Sequence, residues 1–123
     1  MIILCPVAAL LAAVSDYGNE EKMVLEVAVL SVRAGESAAF ERAFAEAQPI
    51  ISSMEGYISH QLHRSLETRD KYLLIVQWRR IEDHTVGFRQ SAGFQEWKRL
   101  LHHFYDPPPV IEHFEAMSDH STK

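Results

Sequence analysis

The side chains able to move protons, bind metals or attack carbonyls are few, and their spacing decides which of these they can do. The chain carries seven histidines and one cysteine in 123 residues. His60 and His63 lie three apart on a segment that alternates like a strand, so they project to opposite faces. His102 and His103 are neighbours on a helical segment, about 100° apart around its axis. No His-x-x-x-His or Cys-x-x-Cys pair occurs, so no metal-ligand set is written locally and no metal site is expected. A Gly-x-Gly-x-x-Gly run, a Walker loop and Gly-x-Ser-x-Gly are all missing, which removes the usual dinucleotide, nucleoside triphosphate and esterase chemistries. The residue that stands out is His84, closing the run Trp78-Arg79-Arg80-Ile81-Glu82-Asp83-His84. An imidazole titrates near neutrality and suits a general base, the alternative being that it caps or packs against a short helix.

Around it lie the aromatic residues Phe40, Phe44, Phe88, Phe94 and Trp97. Their first role is packing, but those under the helices also border any cavity there and are the candidate substrate-contacting residues. Trp78 reads as a wall of the same cavity. His60, on a two-sided strand, faces either that cavity or a partner chain. Glu112, His113 and Glu115 near the C-terminus read as interchain hydrogen-bonding residues. Arg79 and Arg80 read as a solvated strand end. Arg89 is expected to pair with Glu82 or Glu96 at the surface, or to hold an anionic substrate.

These residues are positioned by a simple order of elements. Val24 to Arg33 is a strand apolar on both alternating sets, followed by the turn Ala34-Gly35. A helix is expected from about Glu36 to Ser53, with Glu36 in its first turn and an apolar stripe of Phe40, Ala43, Phe44, Ala47, Ile51 and Met54. Pro49 should kink or interrupt it, because proline has no amide donor. Tyr57 to Ser65 alternates, placing Ile58, His60, Leu62 and Arg64 on one face and Tyr57, Ser59, Gln61 and His63 on the other. A polar loop, Leu66 to Asp70, joins it to the strand Lys71 to Arg79. A short helix, Ile81 to Arg89, precedes a second one over Ala92 to Phe104, with Ser91 as its N-cap and Phe94, Trp97, Leu101 and Phe104 buried. Asp106 and three prolines stop it, and Val110 to Met117 is the last strand. The order β-α-β-β-α-β predicts an α+β, ferredoxin-like split βαβ fold, a four-stranded antiparallel sheet with helices on one face. The other face is too apolar for a monomer, so a homodimer through the open sheet face is expected.

Composition narrows the partners. The net charge of -5 argues against nucleic acid and against anionic lipid. A single cysteine, Cys5, excludes an internal disulfide framework. RNA-binding domains share the strand order but need aromatic strands flanked by basic residues, which are missing here. Residues 1–22 differ from the rest: Ile2 to Val14 is apolar, then Ser15 to Lys22 is polar. The apolar run is too short to span a bilayer and has no basic residue before it, as a secretory signal would. It reads as an extension upstream of a natural start at Met23, with a short packing helix over Val7 to Val14 as the alternative. The expected organisation is that segment, one domain over residues 23–117 and a frayed tail over 118–123, in a cytoplasmic protein that meets no membrane.

The stretch from Trp78 through His84 to the spaced Phe88, Ser91, Phe94 and Trp97 resembles the antibiotic biosynthesis monooxygenase (ABM) family of the dimeric α/β-barrel superfamily. Gly56-Tyr57 and Pro108-Pro109 also resemble it, and the likeness runs from Met23 to about Met117. It implies a pocket between sheet and helices that takes a small-molecule substrate. Members that oxidise polycyclic phenols to quinones use no metal or flavin, so no cofactor is expected; the substrate carbanion reacts with O2 directly. Such members carry a polar residue six positions after the strand tryptophan and an Asn four before it, places held here by His84 and Leu74. Haem-degrading members rely on an Asn on the first strand and a His on the last helix, where this chain has Ala28 and, near Trp97-Lys98, no histidine. The resemblance thus implies a cofactor-independent monooxygenase acting on a small aromatic or enolisable compound. An isomerase or binding protein on the same scaffold is the alternative.

Overall fold

A computed structural model describes residues 23–118. The expectations for the leader and for nearly all of the tail lie outside the described residues. Four strands, β1 (Val24–Ser31), β2 (Tyr57–Arg64), β3 (Lys71–Trp78) and β4 (Val110–Glu115), form one sheet in the order β2-β3-β1-β4. Every neighbouring pair is antiparallel. Two helices, α1 (Ser37–Ser52) and α2 (Ala92–Leu101), complete the split βαβ order.

Alternation decides what faces the helices. On β1 the set Glu26, Ala28 and Leu30 is buried, while Val27 and Val29 on the other side are only half-buried. On β3 the buried set is Tyr72, Leu74, Val76 and Trp78. Against this face α1 lays Phe40, Phe44, Ala47 and Ile51, and α2 lays Trp97 and Leu101. The Ser91 hydroxyl accepts the Phe94 N–H at 3.1 Å and caps α2 as its sequence position requires. The opposite sheet face of the single chain is covered by neither helix, and Val110 and Phe114 on β4 are exposed there.

The structure corrects several local expectations. Of the kink or interruption expected at Pro49, the interruption does not occur: helix α1 runs through the proline. The carbonyl deprived of a donor is that of Ala45, an exposed residue, where water can satisfy it. On β2 the register slips between Tyr57 and Ser59, leaving Ile58 as an extra residue. The bulge inverts the alternation before it, so Tyr57 shares a face with His60 rather than opposing it. The segment expected as a helix from Ile81 to Arg89 is a wide π-helical turn over Asp83–Phe88. Helix α2 ends at Leu101 and gives way to a 3-10 turn over His102–Phe104. The first and last strands are shorter than their apolar runs suggest, β1 closing at Ser31 and β4 at Glu115.

The corner between α1 and β2 is built around a glycine. Gly56 has φ +85°, and a β-carbon there would fall 2.0 Å from an Asp83 carboxylate oxygen. Asp83 in turn accepts the Arg80 N–H at 3.1 Å, and the Gly56 carbonyl accepts the Arg79 N–H at 2.7 Å. The G56A variant should therefore lose about 2–5 kcal/mol, from a left-handed backbone and an overpacked contact acting together. Thermal unfolding followed by circular dichroism checks this; a midpoint within a degree or two of wild type would show that the corner relaxes freely.

Candidate functional site

The chemistry collects where β1, β4 and the π-helical turn meet. Glu26 is the one acidic residue in the inward-facing set of β1, and it is only 4% exposed. Trp78, diagonally across on β3, donates its indole N–H to Glu26 Oε1 at 2.9 Å. His113 lies directly opposite Glu26 on β4 and therefore on the same face. The π turn delivers His84, 2% exposed, into the space between them. Its Nε2 lies 3.5 Å from Glu26 Oε1 and its Nδ1 lies 2.8 Å from His113 Nε2. The His84 ring is stacked on Trp78, with centroids 5.5 Å apart. The result is a row of carboxyl, imidazole and imidazole running from the sheet interior to the half-buried His113 on the exposed edge strand. His113, expected from its place on the last strand to bond between chains, has His84 as a partner within its own chain.

Two members of this row, Glu26 and His84, line a cavity of about 320 Å³. Phe88, Phe94 and Trp97 give it aromatic walls, Ala28 and Leu74 an apolar floor beside Glu26, and Arg89 stands at its exposed rim. The wide turn explains why His84 and Arg89 reach the same cavity: the Arg89 N–H donates to the His84 carbonyl, five residues back, at 3.2 Å. Burial raises the Glu26 carboxyl above its ordinary value, against the opposing pull of the Trp78 hydrogen bond and of Arg89. Burial, with Arg89 and His113 adding to it, pushes His84 down to about 3. At neutral pH the His84 imidazole is therefore neutral, with an N–H on one ring nitrogen and a lone pair on the other, the two facing His113 and Glu26.

The other residues singled out from the sequence are dispersed. Trp78 is fully buried behind His84 and reaches the cavity through the Glu26 and His84 contacts rather than as a wall. Phe40 is wholly in the core, packed at 4.9 Å on Tyr72. Phe44 and His60 border a different groove, of about 660 Å³, between α1 and β2. Its larger volume is not matched by free chemistry: His60 meets the Tyr57 hydroxyl at 2.6 Å and Gln48 Oε1 at 3.0 Å, and the Tyr72 hydroxyl donates to Glu41 at 2.5 Å. Among the described residues no group of three or more histidine, cysteine and acidic side chains is placed to hold a metal ion. No described helix is long and apolar enough to cross a membrane.

Glu26 escaped the sequence reading, although a lone acid in Val-Leu-Glu-Val-Ala-Val-Leu is a usable signal. Its inward parity with Ala28 and Leu30 requires a buried partner. Because His84 binds a proton more weakly folded than unfolded, the stability it confers is complete above about pH 6.5 and is lost as pH falls toward 3. The raised Glu26 works in the opposite sense at higher pH, so the comparison must isolate His84. The unfolding midpoint of wild type should drop by several degrees more than that of H84Q between pH 7 and pH 5. Thermal melts of the two proteins run side by side give the answer; parallel pH profiles would mean that folding leaves the proton affinity of His84 unchanged.

Comparison with known proteins agrees with this architecture. The family model for antibiotic biosynthesis monooxygenases matches residues 23–100. The uncharacterized protein YczJ of Bacillus subtilis (strain 168) is 54% identical over 93 residues, spanning 76% of this chain and 98% of that protein. Among solved structures, an antibiotic biosynthesis monooxygenase family protein from Bordetella bronchiseptica superposes with a TM-score of 0.76 at 37% identity, covering 79% of this chain and 99% of that one. SnoaB, a cofactor-independent oxygenase from Streptomyces nogalater, shares the fold with a TM-score of 0.62 at 21% identity, over 81% of this chain and 96% of its own. The α+β, ferredoxin-like architecture and the matched sequence together make this chain a member of the antibiotic biosynthesis monooxygenase family.

Proposed function

We propose that the chain is a cofactor-independent oxygenase in which His84, backed by Glu26, takes a proton from a small aromatic or enolisable substrate. The observation that carries this reading is the buried imidazole 3.5 Å from a buried carboxyl at the side of an aromatic cavity. A neutral His84 accepts the proton, and the imidazolium so formed is compensated by Glu26, which Trp78 holds in place. His113 offers the proton an exit toward the exposed edge strand. The walls of Phe88, Phe94 and Trp97 stack on the ring and exclude water. The carbanion then reduces O2: a CH2 carbon becomes C=O, one oxygen atom entering the product and the other leaving as water with the two hydrogens.

One observation favours a second, non-oxidative reading. Leu74 and Ala28 both line the cavity, and no side-chain amide does. A peroxide-like anion formed on the substrate would have no amide to donate to it, whereas proton abstraction and return, as in an isomerase, needs none. Oxygen consumption separates the two.

With an anthrone or naphthol probe, wild type should consume O2 stoichiometrically with product. H84A should lose about 10²–10⁴-fold in kcat, the usual worth of a general base, with its circular dichroism unchanged. The E26Q variant, which keeps an acceptor for the Trp78 N–H, should lose about tenfold or more through the uncompensated imidazolium. Activity retained in H84A removes the histidine from the chemistry; turnover without O2 uptake selects the isomerase.

The same reading includes a homodimer through the open sheet face, supported by the unpartnered Val27, Val29, Leu73 and Ile75 between exposed Val110 and Phe114. Light scattering at micromolar concentration should give twice the chain mass, and I75E should shift it toward monomer. A monomeric wild type would require another cover for this face.

A further inference from the structure

Arg89 is the feature of the cavity that the proton chemistry does not use. Four other arginines are paired with carboxylates: Arg33 with Asp106, Arg64 with Glu41, Arg80 with Asp83 and Arg99 with Glu96. Arg89 makes no such pair among the described residues, and its guanidinium donates no hydrogen bond to the protein there. Of its two expected partners, Glu96 is taken by Arg99. Unlike Arg42, Arg69 and Arg79, which also have no carboxylate partner, Arg89 lines the cavity. Its backbone is fixed there by the hydrogen bond to the His84 carbonyl. Its positive field reaches the interior, where it favours ionised Glu26 and disfavours protonated His84 and His113.

Arg89 is the one permanently cationic side chain in a cavity otherwise lined by apolar and aromatic groups, the buried Glu26 and the imidazoles of His84 and His102, and a free guanidinium at its rim is half of a recognition pair. Its planar fork matches a carboxylate, which it can hold through two parallel hydrogen bonds. The rim position lets the anion keep part of its hydration, so the cost of burying a charge pair is largely avoided. The volume of about 320 Å³ lies at the small end for ligand cavities, room for one or two fused rings rather than a long polycycle. We propose that the cavity takes a one- or two-ring aromatic carboxylate, with its carboxylate on Arg89 and the ring between Phe88, Phe94 and Trp97. That orientation presents the far edge of the ring to His84. The inference rests on the cavity being the substrate site, but not on the reaction being oxidative.

Binding separates this from the chemistry. The probes are 2-naphthoate and its neutral isostere 2-naphthamide, titrated into the full chain by calorimetry and by quenching of tryptophan fluorescence. Wild type should prefer naphthoate by about tenfold or more, and the preference should shrink as salt is raised. R89Q should bind the two within about twofold of each other, losing far more affinity for naphthoate than for naphthamide. R89K should fall between, since it keeps the charge and loses the fork. Equal affinity of wild type for both probes, no binding of either, or a preference that survives in R89Q overturns the proposal. A preference lost in R89Q alongside a chain that consumes no O2 upholds the carboxylate site and removes only the oxygenase reading.

Discussion

A carboxyl group buried in the middle of an apolar sheet cannot stand alone, and the arrangement around Glu26 is what makes it tolerable. Its position on β1, the strand flanked on both sides, leaves it almost wholly shielded from bulk water. The Trp78 indole N–H satisfies one oxygen, and an imidazole from a separate segment comes within 3.5 Å of it. Each of these supports has its own requirement. The tryptophan must end β3 facing inward, the turn after it must be wide enough to swing His84 back over the sheet, and β4 must add His113 in register with Glu26. Apolar burial by α1 and α2 supplies the cohesive energy that keeps such a polar row dry.

The same arrangement divides the molecule into two unlike concavities on the helix side of the sheet. Near β2 the polar groups answer one another, and the groove there is chemically closed despite its size. Near β1 and β4 a smaller space is lined by groups whose valences point inward without being filled, above all Arg89 and the free oxygen of Glu26. Volume and buried ionisable groups therefore fall in different places, and it is the groups rather than the size that single out the candidate site.

Much of the scaffold was legible in the sequence because it obeys simple periods. The inward set of β3, the stripe of α1 and the Ser91 cap all follow from alternation, helical spacing and one hydroxyl. What escaped depends on departures from a period or on long-range register. The π turn adds a residue to a helical segment, and its Asp83, His84 and Phe88 become buried together in a way that an α-helical reading misses. His113 has no local feature that says it faces inward; the pairing of Glu26 with it across β1 and β4 decides that. Arg89 looks like any surface arginine until the turn is known. That the helix continues through Pro49 depends on the exposure of the Ala45 carbonyl, which the proline's missing amide donor alone does not reveal.

The bulge at Ile58 has a consequence for how the two halves of β2 relate. The strand begins at a corner whose geometry is dictated by Gly56 and Asp83, and it continues as the wall of the groove that holds His60. An unbroken strand would tie these together, because parity at the corner would then dictate parity at the groove. The spare residue acts as a phase shifter that lets each end choose its own facing. Tyr57 can lie edge-on to Trp78 and still place its hydroxyl on His60, so one side chain links the core tryptophan to the groove histidine. The corner under the acid–base row and the groove beside it can accordingly diverge among relatives without either forcing a new register on the sheet.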